Sequence, residues 1–225
     1  MDNIDRLVEF GLTRQEATLY TTLYAEGELT GYEASKLTGI SRSNAYNALA
    51  CLVEKGAANI VDGSVTKYVP VSFDEFCSSK LRYLEEMKEE LIQNEPAVRV
   101  ESEGYITITG DKQIKDKLIY LLLQTQERVY LTMNAQVTES VKDILMELYR
   151  KGVRVLLITE SGVKLSGIRV YYAKKIENQI SAIIDDKYVL NGEIGSDYAT
   201  CLFSGKKELA EIFKDSLRTK IKFFD

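Results

Sequence analysis

Histidine is absent from this chain, and so is tryptophan. Without an imidazole there is no histidine general base and no zinc finger of the Cys/His kind. Cysteine occurs three times, at Cys51, Cys77 and Cys201. The three are odd in number and far apart, and no C-x-x-C pair occurs among them. They read as reduced, packed thiols of a cytoplasmic protein rather than a disulfide framework. No metal and no cofactor is expected. No stretch reaches the roughly 18 consecutive apolar residues a spanning helix needs. The acidic start Met1-Asp2-Asn3-Ile4-Asp5 is followed by no apolar run of the secretory kind, so no membrane partner is expected. Only two prolines and no low-complexity run leave little room for a long disordered segment.

A basic arm is missing as well. Residues 1–70 hold six Lys/Arg against nine Asp/Glu, net −3; residues 71–100 hold four against seven, net −3; residues 101–225 hold 19 against 18, net +1. Any contact with nucleic acid has to come from a local face and to be modest per monomer and sensitive to salt. What is present is core material: 45% hydrophobic residues over 225 positions, enough for two compact domains.

The pattern along residues 1–70 is that of three helices and a hairpin. Ile4, Leu7, Val8 and Phe10 suggest a short lead-in stopped by Gly11. Thr13-Arg14-Gln15-Glu16 is a capping box, in which a hydroxyl and a carboxylate satisfy free amides at a helix start. Ala17, Leu19, Tyr20, Leu23 and Tyr24 follow at helical spacing. Thr30-Gly31-Tyr32-Glu33 is a second box, opening a short helix with Ala34 and Leu37 inward. Ser41 caps a third helix over residues 42–55, with Ala45, Ala48, Leu49 and Leu52 on one side. Ala58–Val61, Asp62-Gly63 and Val65–Val69 predict a hairpin closed by a two-residue turn. This is a winged helix-turn-helix. The apolar side of the third helix leaves Arg42, Ser43, Tyr46 and Asn47 outward near its start, where a recognition helix meets base edges. Arg and Asn pair bidentately with guanine and adenine, and Ser43 and Tyr46 suit phosphate. Lys67 is expected on the wing, reaching the flanking backbone. The expected partner is double-stranded DNA. A protein-docking winged helix, an adaptor of the transcription machinery without base-specific DNA binding, stays open as the alternative, as does Tyr46 packed on the wing.

Residues 71–96 predict a linking helix between Pro70 and Pro96. Cys77, Leu84 and Leu91 fall at heptad a positions, Met87 at d and Leu81 at e, with Lys80 at the other d. An imperfect seam of three heptads fits a homodimeric coiled coil; packing on the helix's own chain is the alternative. Residues 97–225 alternate strand and helix signals: strands near 105–108, 128–133, 153–158, 168–172, 181–185, 188–191 and 198–203, helices near 111–124, 136–150 and 206–218. That predicts an α/β domain with a mixed sheet.

Two stretches carry a family resemblance. Gly11-Leu12-Thr13-Arg14-Gln15-Glu16-Ala17 with Leu19-Tyr20 and Leu23, and Ser41-Arg42-Ser43-Asn44-Ala45-Tyr46-Asn47-Ala48-Leu49 with Leu52-Val53-Glu54-Lys55-Gly56, resemble TrmB-type transcriptional regulators, common in archaea. The resemblance implies DNA contact by Arg42, Ser43, Tyr46 and Asn47 and a dimer joined through the linking helix. It also implies a catalytically dead phospholipase-D-like domain after that helix. Residues 178–192 resemble the phospholipase D signature H-x-K-x4-D-x6-G when anchored on Asp185 and Gly192. Asn178 then stands at the histidine position and Ile180 at the lysine position. Asn178 forms no phosphohistidine and Ile180 neutralises no phosphate, so the expectation is a domain that is not an enzyme. Asn178 and Asp185 are the expected lining of a cleft for an unknown small-molecule effector; a plain hairpin turn at Asp185-Asp186-Lys187 explains the same residues. Longer TrmB-type proteins resemble this chain up to an additional sugar-binding domain, so a shortened form without that domain is expected.

Overall fold

The structure is a computed structural model and describes residues 2–96, 104–196 and 198–221. The chain divides into two units between Ala97 and Val98.

The N-terminal unit is organised by its helix caps. Helix α1 spans Asn3–Glu9 and α2 spans Arg14–Glu26. At the start of α2, Thr13 Oγ accepts from the Glu16 amide at 3.2 Å, and the Glu16 carboxylate accepts from the Thr13 amide at 2.8 Å. Glu16 is buried, and Lys55 reaches it at 2.6 Å while also donating to the Gly11 carbonyl. The box thereby also ties α2 to Lys55, far along the chain. Strand β1 (Leu29–Thr30) leads into α3 (Gly31–Thr38), opened by the Thr30–Glu33 box. Gly39, in the left-handed region at φ +72°, ends α3, and α4 (Arg42–Glu54) follows from its Ser41 cap. Strands β2 (Ala58–Val61) and β3 (Lys67–Pro70) form the wing, with β3 in the middle of the order β1-β3-β2. Leu19, Tyr20, Leu23, Ala34, Ala45, Leu49 and Leu52 are fully buried between them.

Three sequence expectations are corrected here. Leu37 is 55% exposed; beside the inward Ala34 it is Ser35 that is buried, and its hydroxyl donates to the Ile40 carbonyl at 2.7 Å. The wing turn has five residues, not two, because Val61 pairs with Lys67 and leaves residues 62–66 as the loop. Neither Asp62 nor Gly63 takes the positive φ that a two-residue primed turn needs. Strand β1, too short to announce itself, was not predicted.

Helix α5 (Phe73–Gln93) is not a free-standing linker. Its first turn is rooted in the N-terminal core. Phe76 is buried, and Phe73 and Cys77 pack against the same cluster. The buried Tyr20 meets Phe73 and Phe76 edge-on at 5.2 and 5.6 Å and donates its hydroxyl to the Val71 carbonyl at 2.8 Å.

The C-terminal unit is a three-layer α/β domain. Its elements are β4 (Ile106–Thr109), α6 (Asp111–Gln124), β5 (Arg128–Thr132), α7 (Ala135–Arg150), β6 (Arg154–Glu160), β7 (Arg169–Ala173), β8 (Gln179–Ile184), β9 (Tyr188–Glu193), β10 (Thr200–Ser204) and α8 (Lys207–Ile221). The seven strands run in the order β4-β10-β9-β8-β5-β6-β7. Strands β5, β6 and β7 are mutually parallel and every other neighbour pair is antiparallel. Side chains alternate across each strand. Val129, Leu131, Val155 and Leu157 face a core shared with Ile114, Leu118 and Leu122 of α6 and Val141 and Leu145 of α7. The opposite face, with Tyr130, Ile158, Ile183 and Val189, packs against Ala210 and Leu217 of α8. Covering both faces is what gives β5, β6 and β8 their near-continuous apolar composition. Truncating a residue such as Leu131 to Ala costs about 2–5 kcal/mol.

Candidate nucleic-acid interface

Helix α4 presents the expected face. Ala45, Ala48, Leu49 and Leu52 are buried, and Arg42, Ser43, Tyr46 and Asn47 are exposed together on the other side of its first turns. Ser43 and Asn47 stand four residues apart, as do Arg42 and Tyr46, so each pair shares a helix face. Two of the four are held in place. The Arg42 guanidinium lies 4.4 Å from the centre of the Tyr32 ring, a cation–π contact worth about 0.5–1 kcal/mol at an exposed site. Tyr46 packs on the start of α3. Its ring covers Gly31, where an added Cβ would come within 2.5 Å of ring carbon. Gly31 is therefore the residue that lets α4 lie against the start of α3.

Lys67 lies on the wing as expected, opposite Val61 where the loop begins, and it pairs with Glu28 at 2.8 Å. That hydrogen bond, with the charge behind it, raises the Lys67 pKa. Glu33 lies below the ordinary carboxylate range because it caps Thr30. The wing loop, residues 62–66, contains Asp62 and no cation. Sequence reading missed Tyr32 and Lys36, both exposed on α3. The signal was available: they are four residues apart, on the face opposite Ala34.

On α5 the expected seam residues diverge along the helix. Cys77 belongs partly to the N-terminal core. Leu81, Leu84 and Leu91 are 58, 46 and 70% exposed, and Met87 is 38% exposed. The apolar stripe is thus buried at its root and open beyond it.

In the C-terminal domain, Asn178 and Asp185 do not share a cleft. They flank opposite ends of β8, and six strand residues at about 3.3 Å each put roughly 20 Å between them. Asn178 lines an open polar cavity of about 620 Å³ with Gln179, Asn191 and Glu193. The Asp185 carboxylate instead accepts from the amides of Gln126, Glu127 and Arg128 at 2.8, 2.8 and 2.9 Å, clamping the entry to β5. Burial pushes its pKa up, but the three amides outweigh this and hold it below the usual range. Asp185 and Asp186 both take positive φ, as the hairpin-turn reading required. Gly192 is fixed by packing, since a Cβ there would meet the Thr200 carbonyl oxygen at 2.2 Å. Ile180 is fully buried in the core. Of the four positions anchored on that signature, Asp185 and Gly192 have structural roles here, while Asn178 is an exposed amide and Ile180 a core residue. Cys201 is also in the core, its thiol pushed up to about 11 by burial. Among the described residues, no cluster of His, Cys, Asp or Glu is placed to hold a metal. No described helix is long and apolar enough to cross a membrane.

A helix-turn-helix closed by a three-stranded wing, with a polar face at the start of its last helix, defines the winged-helix class of regulator domain. Residues 7–74 match the family model described as the sugar-specific transcriptional regulator TrmB. The chain is 27% identical over 225 residues to the DNA-binding HTH-type transcriptional repressor TrmBL2 of Thermococcus kodakarensis, covering 95% of this chain and 79% of that one. It is 25% identical over 190 residues to the uncharacterized protein YrhO of Bacillus subtilis, covering 83% of this chain and 69% of that one. A solved structure of NucT from Helicobacter pylori overlaps 53% of this chain and 96% of its own, at 17% identity and a TM-score of 0.45. The N-terminal domain is thus similar to that of TrmB-type transcriptional regulators.

Proposed function

We propose that the protein is a sequence-specific binder of double-stranded DNA that regulates transcription as a homodimer. The observation that carries this reading is the group Arg42, Ser43, Tyr46 and Asn47, exposed at the start of a helix whose other side is the domain core. Arg42 and Asn47 are the base-reading side chains, and Ser43 and Tyr46 contact phosphate. The open stripe of Leu81, Leu84, Met87 and Leu91 on α5 is the dimer seam, continuous with the buried root at Phe76. In this reading the C-terminal domain is a phospholipase-D-like scaffold without its chemistry, serving assembly or sensing, and the working compartment is the cytoplasm. The name of the Thermococcus relative, a DNA-binding repressor, supports the partner chosen here.

One observation favours a second reading. The wing loop carries Asp62, and Lys67 beside it is already paired with Glu28. A winged helix poor in free cations suits a protein-docking adaptor. Selection of duplexes from a random pool by the purified full-length chain separates the two. The DNA-binding reading expects an inverted repeat with half-sites one or two helical turns, about 34 Å or its double, apart. An unenriched pool, with no fall in binding as salt rises, contradicts it and leaves the adaptor.

A further inference from the structure

The C-terminal sheet gathers arginine at one corner. On the α8 face, Arg128 of β5 stands directly beside Arg154 of β6 in the parallel register. Arg169 of β7 pairs with Leu156, two residues further along β6, on the same face. Strands about 4.8 Å apart and a two-residue step of about 6.6 Å place Arg169 about 8 Å, backbone to backbone, from Arg154. Like charges on adjacent strands repel. Arg128 is neutralised by Asp186 and Glu127, each at 3.1 Å. Among the described residues, the side chains of Arg154 and Arg169 have no ion pair or hydrogen bond, although the Arg154 amide donates to the Glu127 carbonyl. Both line a cavity of about 470 Å³ together with Tyr130, Tyr149 and Gly167. Its wall is fixed in place. The Tyr149 ring lies over Gly167, where a Cβ would approach within 2.4 Å, and Gly167 has φ +85°. The cavity falls within the roughly 300–1,000 Å³ range of small-molecule sites.

We propose that this cavity is a binding site for a small phosphate monoester, with Arg154 and Arg169 gripping the phosphate and Tyr130 and Tyr149 flanking the organic part. Two unopposed guanidinium groups match the −1.5 to −2 charge of a monoester, and each fork suits bidentate contact with its oxygens. The concave shape fits a metabolite better than the extended backbone of a duplex. The site is separate from the open cavity at Asn178, which Lys175 and Glu177 flank as a mutual ion pair.

The test uses the full-length chain and titration calorimetry with inorganic phosphate, glycerol 3-phosphate, glucose 6-phosphate, adenosine monophosphate and glucose. Saturable binding of at least one monoester, tighter than inorganic phosphate, and none of glucose, is expected. Arg154→Ala with Arg169→Ala should weaken it at least tenfold and Arg154→Lys severalfold. Arg218→Ala, which removes a guanidinium paired with Asp215 in the same domain, should leave it unchanged. Thermal unfolding supplies the second readout. Relief of repulsion should leave the melting temperature of the double variant unchanged or raised, and the bound monoester should raise that of the unmutated chain only. The proposal is overturned if no monoester binds, if the double variant binds equally, or if it melts markedly lower. A random duplex that displaces the monoester and itself depends on Arg154 and Arg169 also overturns it, in favour of nucleic acid.

Discussion

The two units dispose of positive charge in opposite ways. In the N-terminal unit Arg14 is held by Asp5, Lys55 by Glu16 and Lys67 by Glu28. Arg42, stacked on Tyr32, and Lys36 are left on the exposed side of the helix-turn-helix. In the C-terminal unit, which is close to neutral overall, Arg154 and Arg169 line a cavity with no ion-pair partner among the described residues. The comparison teaches that net charge is a poor guide to where an anion is met. A regulator whose helix-turn-helix is acidic draws little from general phosphate attraction. In the proposed reading it gains affinity from a few base contacts and from doubling them in a dimer. The C-terminal arginines tolerate mutual repulsion, which a purely structural sheet has no reason to keep.

The strongest way to break this contrast is to remove the doubling. Leu84→Glu with Leu91→Glu should give monomers in light scattering and abolish detectable operator binding, while the helical circular dichroism signal of the N-terminal unit persists. A dimer that survives both charges places the interface elsewhere.

Next in size is the Asp185 clamp. Asp185→Ala leaves three amides without their acceptor and should cost about 2–3 kcal/mol in denaturant unfolding of the C-terminal unit. Its folded pKa is depressed, so its contribution is present at neutral pH, above the unfolded value of about 3.9, and is lost as pH falls below about 4. In Asp185→Asn the acid-side loss of stability should be shallower than in the unmutated chain. An identical acid limb for the two proteins contradicts the clamp.

The smallest effect sharpens the charge argument. Glu28→Gln frees Lys67, so affinity for random duplex should rise a few-fold in low salt, by under about 1 kcal/mol. Lys67→Ala should change it little, because the lysine is already occupied. A large loss in Lys67→Ala would restore this residue to the wing contact that the sequence suggested.

Much of this was readable before the fold, and the reason is locality. Thr13–Glu16 and Thr30–Glu33 act over three residues, so the sequence states them outright. The helices of the C-terminal domain were predicted to within about two residues at their starts for the same reason. The errors have non-local causes. Leu37 and Ser35 exchange places because the turn carbonyl of Ile40 needs a donor. Lys67 is paired with Glu28, which only the β1–β3 pairing brings near. Asp185 and Asn178 look like neighbours in a motif, but a six-residue strand carries them to opposite ends. The arginine corner was invisible because Arg128, Arg154 and Arg169 meet only through parallel register between strands separated by α7 and a long loop.

The central claim is that the start of α4 reads base sequence, and fluorescence anisotropy on the selected duplex and a scrambled one of equal length tests it directly. Arg42→Ala and Asn47→Ala should each weaken the selected duplex by about 1–3 kcal/mol, roughly 5- to 150-fold, and leave the scrambled one almost unchanged. Equal affinity of both variants and the unmutated chain for the selected duplex would contradict the account.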